Sequence, residues 1–352
     1  MAKHFGCSCS LIYTKLQLYD LQQRKKYTDI TDEDLKICIE RLHREFPAAG
    51  EKLMKGYLHT EGIVVQRKRL RTALSAVADP NVKSKRIKRR TYKVATPNTL
   101  WHMDGHMKLI RWGITTHGCI DGFSRLIVYL NASTNNKAST VFQLYVTATL
   151  QYGLPASVRS DHGGENRHVA LFMNLVSDAR QRHFTGRSVH NQRIERLWRD
   201  VRTQITDWFY DLFCKMEDEG KLDINNESEI KALHIVYLPM INSRLSVFKE
   251  GWNNHSIRTE SNQTPEQLWM LGTIENGHKN TSSIRGILSP EGSVRNQLQQ
   301  GLEKYGLTFQ SFNDMEEIEE HNVEDQFVQD ILARDSNLED KYLEIKTYLG
   351  NN

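Results

Sequence analysis

The sequence has no apolar run approaching the ~20 residues that a helix needs to cross a bilayer, so no membrane-spanning helix is expected. Its first residues, MAKHFGCSCSLIYTKL, lack the long apolar core of a secretory signal. Only 5 cysteines occur, without regular spacing, so a disulfide framework is not expected and a reducing compartment is. Cys7 and Cys9 have no second Cys or His pair at zinc-finger distance. No internal repeat is evident. An excess of charge is also missing, since the formal net charge is only +4. That average conceals an asymmetry. Residues 1–100 hold 21 Lys and Arg against 10 Asp and Glu, whereas residues 314–344 hold 2 against 12. A basic front and an acidic end suggest a polyanionic partner at the front.

The chain has 352 residues, with 39% hydrophobic and 26% charged, which suits a water-soluble globular protein of two or three domains. Residues 1–80 read as short helices. Ser8 can cap a helix with Ile12, Leu16 and Tyr19 on one face. In TDEDLKICIERLHREF, Thr31 serves as cap, and Leu35, Ile39, Leu42 and Phe46 follow at helical spacing until Pro47. Next, GEKLMKGYLHTEGIVVQRKRLRTALSAV reads as helix, turn at Gly62, and a second helix. Arg67, Lys68, Arg69 and Arg71 would face DNA there, with Leu70, Leu74 and Val77 turned inward. A plain three-helix module fits the same pattern. The opening HFGCSCSLIYTKLQLYDL looks like the second half of another such unit, so a truncated start is expected.

The linker at 81–98 contains KSKRIKRR, with Lys85, Arg86, Lys88, Arg89 and Arg90 available to neutralise phosphates. It reads equally well as a nuclear import signal, and a nuclear location is expected. From residue 99 the pattern changes. LWHMDGHMKLI, GITTHGCID and RLIVYLNAS read as strands, KASTVFQLYVTATLQYG as a helix ending at Gly153, and ASVRSD as a short strand. A helix NRHVALFMNLVSDA, an extended RHFTGRS and a long helix NQRIERLWRDVRTQITDWFYDLF complete an α/β order. In the long helix Ile194, Leu197, Val201, Ile205, Trp208 and Leu212 form the expected buried face. Residues 221–275 read as a helical extension and 276–352 as an acidic tail, either a short amphipathic helix or partly disordered.

The turn SDHGGEN (160–166) needs its glycines but not Asp161. Asp104 lies within the first strand, where a carboxylate beside a core is costly unless a cation or hydrogen bonds hold it. Glu195 lies at the edge of the long helix's buried face. Each has an ordinary reading: Asp161 as a turn former, Glu195 paired with Arg199, Asp104 paired with His102 or His106. Glu165 competes with Asp161 as a ligand but fits better as a support for the turn. Together, Asp104, Asp161 and Glu195 are three hard oxygen donors on separate elements, a set suited to Mg²⁺ or Mn²⁺. Two such ions can serve in-line displacement at phosphorus. His102, His106 and His162 are read as structural or substrate-positioning, since hard cations seldom take imidazole.

WHMDGHMKL, CIDGFSRLIVYL, VRSDHGGEN and SVHNQRIERLWRDV resemble, in order, the blocks of the retroviral-integrase-like DDE catalytic core of integrases and DNA transposases. The resemblance covers roughly residues 97–215. It implies an α/β, RNase H-like mixed sheet flanked by helices, preceded by an all-α helix-turn-helix region and followed by a helical, partly disordered C-terminal region. It further implies Asp104, Asp161 and Glu195 as catalytic and metal-binding residues with two Mg²⁺ or Mn²⁺ ions. Arg199, Arg202 and Asn191 would be DNA-binding, and the core would occupy 99–220. Asp121 and Ser124-Arg125 match a block that is not catalytic in the family. The zinc-binding N-terminal domain of retroviral integrases is absent, and His162 and Asn166 depart from the usual residues. The expected function is metal-dependent DNA end nicking and strand transfer by a nuclear homo-oligomer of mobile-element origin. Its partners would be element ends and target DNA, with no membrane and no small-molecule cofactor. A domesticated, silent nucleic-acid-binding or interaction protein is the alternative.

Overall fold

The computed structural model describes residues 7–19, 27–47, 49–77, 94–175, 183–186, 191–279 and 325–351, together with 281, 283, 284, 287, 291–304 and 306. Side-chain alternation builds the centre. Strand β1 (Trp101–His106) pairs antiparallel with β2 (Thr115–Asp121), with Asp104 opposite Gly118 and His102 opposite Ile120. Successive side chains on a strand point to opposite faces. Trp101 and Met103 therefore enter one core while His102 and Asp104 face the other way. Strand β3 (Ile127–Ser133) continues the meander. Helix α5 (Ala138–Tyr152) then crosses to β4 (Val158–Ser160), which lies parallel to β1, and β5 (His183–Thr185) adds parallel to β4. The order is β3-β2-β1-β4-β5. Trp101, Met103 and Cys119 pack with Phe142 and Tyr145 of α5 and Phe172 of helix α6 (Arg167–Leu175) on one face.

The opposite face carries helix α7 (Gln192–Val201), a π-helical turn (Arg202–Thr206) and helix α8 (Asp207–Asp218). Ile194, Leu197, Val201 and Ile205 are buried as the spacing predicts, but the next buried apolar residues are Phe209, Phe213 and Met216. Trp208 is instead 37% exposed, beneath the Arg244 guanidinium 4.1 Å from its ring centre, and Leu212 is half-buried. The correction has one cause. A π turn adds a residue to the helical repeat, which advances the inward face from 208 and 212 to 209 and 213.

Helix α9 (Glu227–Asn254) closes the β3 edge of the sheet. Asn253 accepts from Ile127 N (2.8 Å) and donates to Ile127 O (3.1 Å). Asn242 does the same at Ala132 (2.7 and 3.1 Å). Eleven helical residues rise ~16.5 Å and five strand residues span about the same length, so both clasps fit one straight helix. Unpaired strand edges invite further strands, and these amides occupy the edge.

At the front, Thr31 Oγ1 accepts from Asp34 N (3.0 Å) and opens helix α2 (Asp32–Glu45), whose Leu35, Ile39 and Leu42 are buried. Helices α3 (Glu51–Thr60) and α4 (Arg67–Val77) follow. Leu70 is fully buried; Leu74 and Val77 are half-buried. Helix α3 crosses α9 at two glycines: a Cβ on Gly56 would stand 2.3 Å from Gly251 O, and one on Gly251 would stand 2.1 Å from the Tyr57 ring. Helix α1 (Cys9–Leu18), capped by Ser8, buries none of its residues. In the acidic region, helices Gln326–Ala333 and Leu338–Asn351 bury Val328, Ile331, Tyr342 and Ile345 in the same core as α2, α3, α8 and α9. Lys346 anchors there on Lys221 O (2.7 Å) and Glu229 (2.8 Å).

Candidate active site

Asp104 leaves β1 on the face that α7 covers. Its Oδ1 accepts from Gly105 N (3.0 Å) and its Oδ2 from Trp198 Nε1 (3.0 Å). The Trp198 ring lies over Gly118, where a Cβ would come within 2.7 Å of it, and stacks on His106 with ring centres 5.2 Å apart. A mid-strand glycine commonly marks such close approach. Asp161 follows β4, and its Oδ1 accepts from Gly163 N and Asn166 Nδ2 (both 3.0 Å). The buried Asn166 is thus the anchor of that carboxylate. Asn166 Nδ2 also reaches Glu165 Oε1 (3.3 Å), so Glu165 supports the turn. Glu195 is exposed on the first turn of α7 and makes no ion pair among the described residues.

Burial pushes the Asp104 carboxyl up to about 7; the Trp198 N–H opposes this, while the Asp161 and Glu195 charges add to it. Burial, then Asp161, also raises Glu195. The three acids therefore share one electrostatic neighbourhood. Among the described residues no three His, Cys, Asp or Glu side chains close on a point that could hold an ion. The two observations concern different distances, since fields reach far beyond the ~2.0–2.1 Å of a magnesium–oxygen contact. Three carboxylates within one another's field fit Mg²⁺ or Mn²⁺ in the kind of donor they offer. Burial holds His102 and His106 down to about 4, so both are neutral near pH 7 and add no positive charge. His162 is exposed on the turn.

The other candidates divide. Arg199 is exposed on α7, while Arg202, also exposed, lies 3.0 Å from Asp207. Asn191 requires correction as a DNA contact: it is 2% exposed, with its amide spent on β1. On α4, Lys68 is exposed, and Arg67 and Arg71 share Glu51 of α3 at the surface. Arg69 is half-exposed, and its guanidinium donates to Asp32 and to Ile30 O (both 2.6 Å), tying α4 to the start of α2. Lys85, Arg86, Lys88, Arg89 and Arg90 lie outside the described residues. The buried Asp121 accepts from Asn98 N (2.9 Å), Phe123 N (3.1 Å), Ser124 N (2.7 Å) and Ser124 Oγ (2.7 Å), a knot that holds the loop after β2.

No curated protein matches the chain. Among solved structures, it is similar to a chain of the simian T-cell lymphotropic virus intasome in complex with PP2A regulatory subunit B56 gamma. The identity is 19%, over 66% of this chain and 72% of that one, with a TM-score of 0.38. It is also similar to the HTLV-2 integrase catalytic core domain in complex with magnesium, in trimeric form, at 16% identity over 50% of this chain and 99% of that one, with a TM-score of 0.32. The family description that matches is the integrase core domain, over residues 91–283. That span holds the whole five-stranded sheet and all three acids, and the chain belongs to the integrase core domain family.

Proposed function

We propose that this protein is a DDE-type polynucleotidyl transferase that nicks and joins DNA ends in the nucleus, acting as a homo-oligomer of mobile-element origin. The observation that carries the reading is Asp104, a half-buried strand carboxylate whose ionisation is opposed first by burial and then by the charges of Asp161 and Glu195. Asp104, Asp161 and Glu195 would hold Mg²⁺ or Mn²⁺. Such ions lower the barrier to displacement at phosphorus by activating the attacking oxygen and neutralising the leaving one. In the reaction, the oxygen of water or of a DNA 3′-OH forms a bond to phosphorus as the bridging P–O3′ bond breaks. The attacking oxygen loses its proton and the departing 3′-oxygen gains one. The exposed Arg199 would meet a phosphate on the same helix as Glu195, and Arg202 would do so once released from Asp207.

A cationic surface supports the DNA reading. Lys52 of α3 bonds Asn262 Oδ1 (3.3 Å), which brings α3 beside the Arg258–Asn262 turn. Burial, then the charges of Arg258 and Arg67, lowers the Lys52 pKa. With Lys68 and Arg71, these residues would offer phosphates a track from the helical front onto the core once Arg67 and Arg71 leave Glu51. One observation favours a second reading, a DNA-binding protein without turnover: both oxygens of Asp104 already accept protein hydrogen bonds.

The test incubates the full chain with labelled end-like DNA and Mg²⁺, beside Asp104→Asn. Nicked or joined products from the wild type alone are expected. Equal products from both proteins would refute the role of Asp104. No products from either, with DNA binding intact, would favour the silent reading.

A further inference from the structure

Asn191 holds β1 and α7 together at the point where both carry acids. Its backbone oxygen accepts from Glu195 N (3.1 Å), the hydrogen bond that closes the first turn of α7. Its side chain turns to β1. Nδ2 donates to Met103 O (3.0 Å), and Oδ1 lies 2.5 Å from His102 Nδ1. Since the amide nitrogen serves a carbonyl, Oδ1 is the acceptor and His102 carries its proton on Nδ1. One side chain thus satisfies a buried donor and a buried acceptor on consecutive residues of β1, immediately before Asp104. Seven residues on, Trp198 pins the same helix to Asp104 Oδ2. On a helix of 3.6 residues per turn, positions 191, 195 and 198 fall within an arc of ~60°. Glu195 therefore sits between two fixed points, both tied to the strand that bears Asp104.

From this geometry we infer that Asn191 is a positioning residue: it sets the register of α7 on β1 and so the placement of Glu195 against Asp104, without touching DNA. The inference rests on the functional reading above, because it supposes that Glu195 and Asp104 serve one metal site. Alanine at 191 would remove the hydrogen bonds to His102 Nδ1 and to the Met103 carbonyl and would free the start of α7. Residues that orient metal ligands typically cost 10–100-fold in metal affinity when lost.

The test is a double-mutant cycle on the full-length protein, with Mn²⁺ binding followed by calorimetry and duplex DNA affinity measured in chelator. Asn191→Ala should weaken Mn²⁺ binding about tenfold and leave DNA affinity within about twofold of wild type. In a Glu195→Gln background the same change should add less than about twofold, because the residue it positions is already disabled. Asn191→Asp keeps the acceptor for His102 and loses the donor to Met103. It runs through the same cycle if the alanine variant does not fold, with the same expected pattern. Additive losses in the Glu195→Gln background would overturn the inference, as would a fall in DNA affinity with Mn²⁺ binding unchanged. If the wild type itself binds no Mn²⁺, the functional reading fails first and the inference falls with it. If the wild type binds Mn²⁺ and the cycle is additive, only the inference fails.

Discussion

Asp104→Asn should stabilise the metal-free protein at high pH and not at low pH. The Asp104 pKa rises from 3.8 to about 7 on folding. At 1.36 kcal/mol per unit this shift corresponds to about 4 kcal/mol, which solvent screening at a half-buried site reduces to about 2–3 kcal/mol. The sign follows from the direction. A carboxyl with a raised folded-state pKa is harder to ionise in the native state, so it costs stability increasingly as pH climbs from 3.8 through 7. Asparagine removes that cost. It can accept from Trp198 or from Gly105 but not offer oxygens to both, a loss of about 1 kcal/mol. In chelator, denaturant titrations should therefore find the two proteins near equal at pH 5 and the variant more stable by about 1–2 kcal/mol at pH 8. Added Mg²⁺ at 100 times its dissociation constant should stabilise the wild type by about 2.7 kcal/mol and leave the variant unchanged, which reverses their order. A variant less stable than wild type by the same amount at pH 5 and pH 8 would refute this account of Asp104.

The π turn sets a contrast between neighbouring residues: Phe209→Ala should cost about 3–5 kcal/mol in denaturant titrations, whereas Trp208→Ala should cost about 1 kcal/mol, mostly the lost contact with Arg244. The reverse ranking would mean that the helix keeps its uninterrupted phase. Replacing Arg67 and Lys68 together by alanine should lower the slope of log affinity against log salt for duplex DNA by up to about 2. An unchanged slope would remove α4 from the DNA surface.

Features set by local chemistry were readable from the sequence. The cap at Thr31, the strands around Asp104 and the helix ending at Gly153 depend on spacing and near neighbours, and the structure has each of them. What escaped was settled by distant partners. Asn191 reads as a DNA contact until β1 is placed against it, 88 and 89 positions away in sequence. Arg69 reads as one more cation in a basic helix until Ile30 O and Asp32 claim it. Gly118 and Trp198 carry no joint pattern, although a glycine within THGCID was a usable sign that something approaches β2 closely. The helices after residue 325 are acidic outside and owe their place to a few apolar residues that reach the α8–α9 core, so charge counts alone pointed towards disorder.

The π turn also explains how one long helix can serve two partners. Over 191–201 its inner side must match β1, because Asn191 and Trp198 bond residues fixed by the sheet. Over 207–218 it must match α9 and the C-terminal helices, where Phe209, Phe213 and Met216 enter the large core. An uninterrupted helix has a single phase, so a register chosen for β1 would bring Trp208 and Leu212 inward. One added residue per turn breaks that link. The upstream half can then be aligned on β1 and the downstream half on α9. The turn begins at Arg202, directly after the segment that carries Glu195 and Arg199. Such insertions are frequent at functional sites, and here the phase change lies between the segment that packs on β1 and the one that enters the large core.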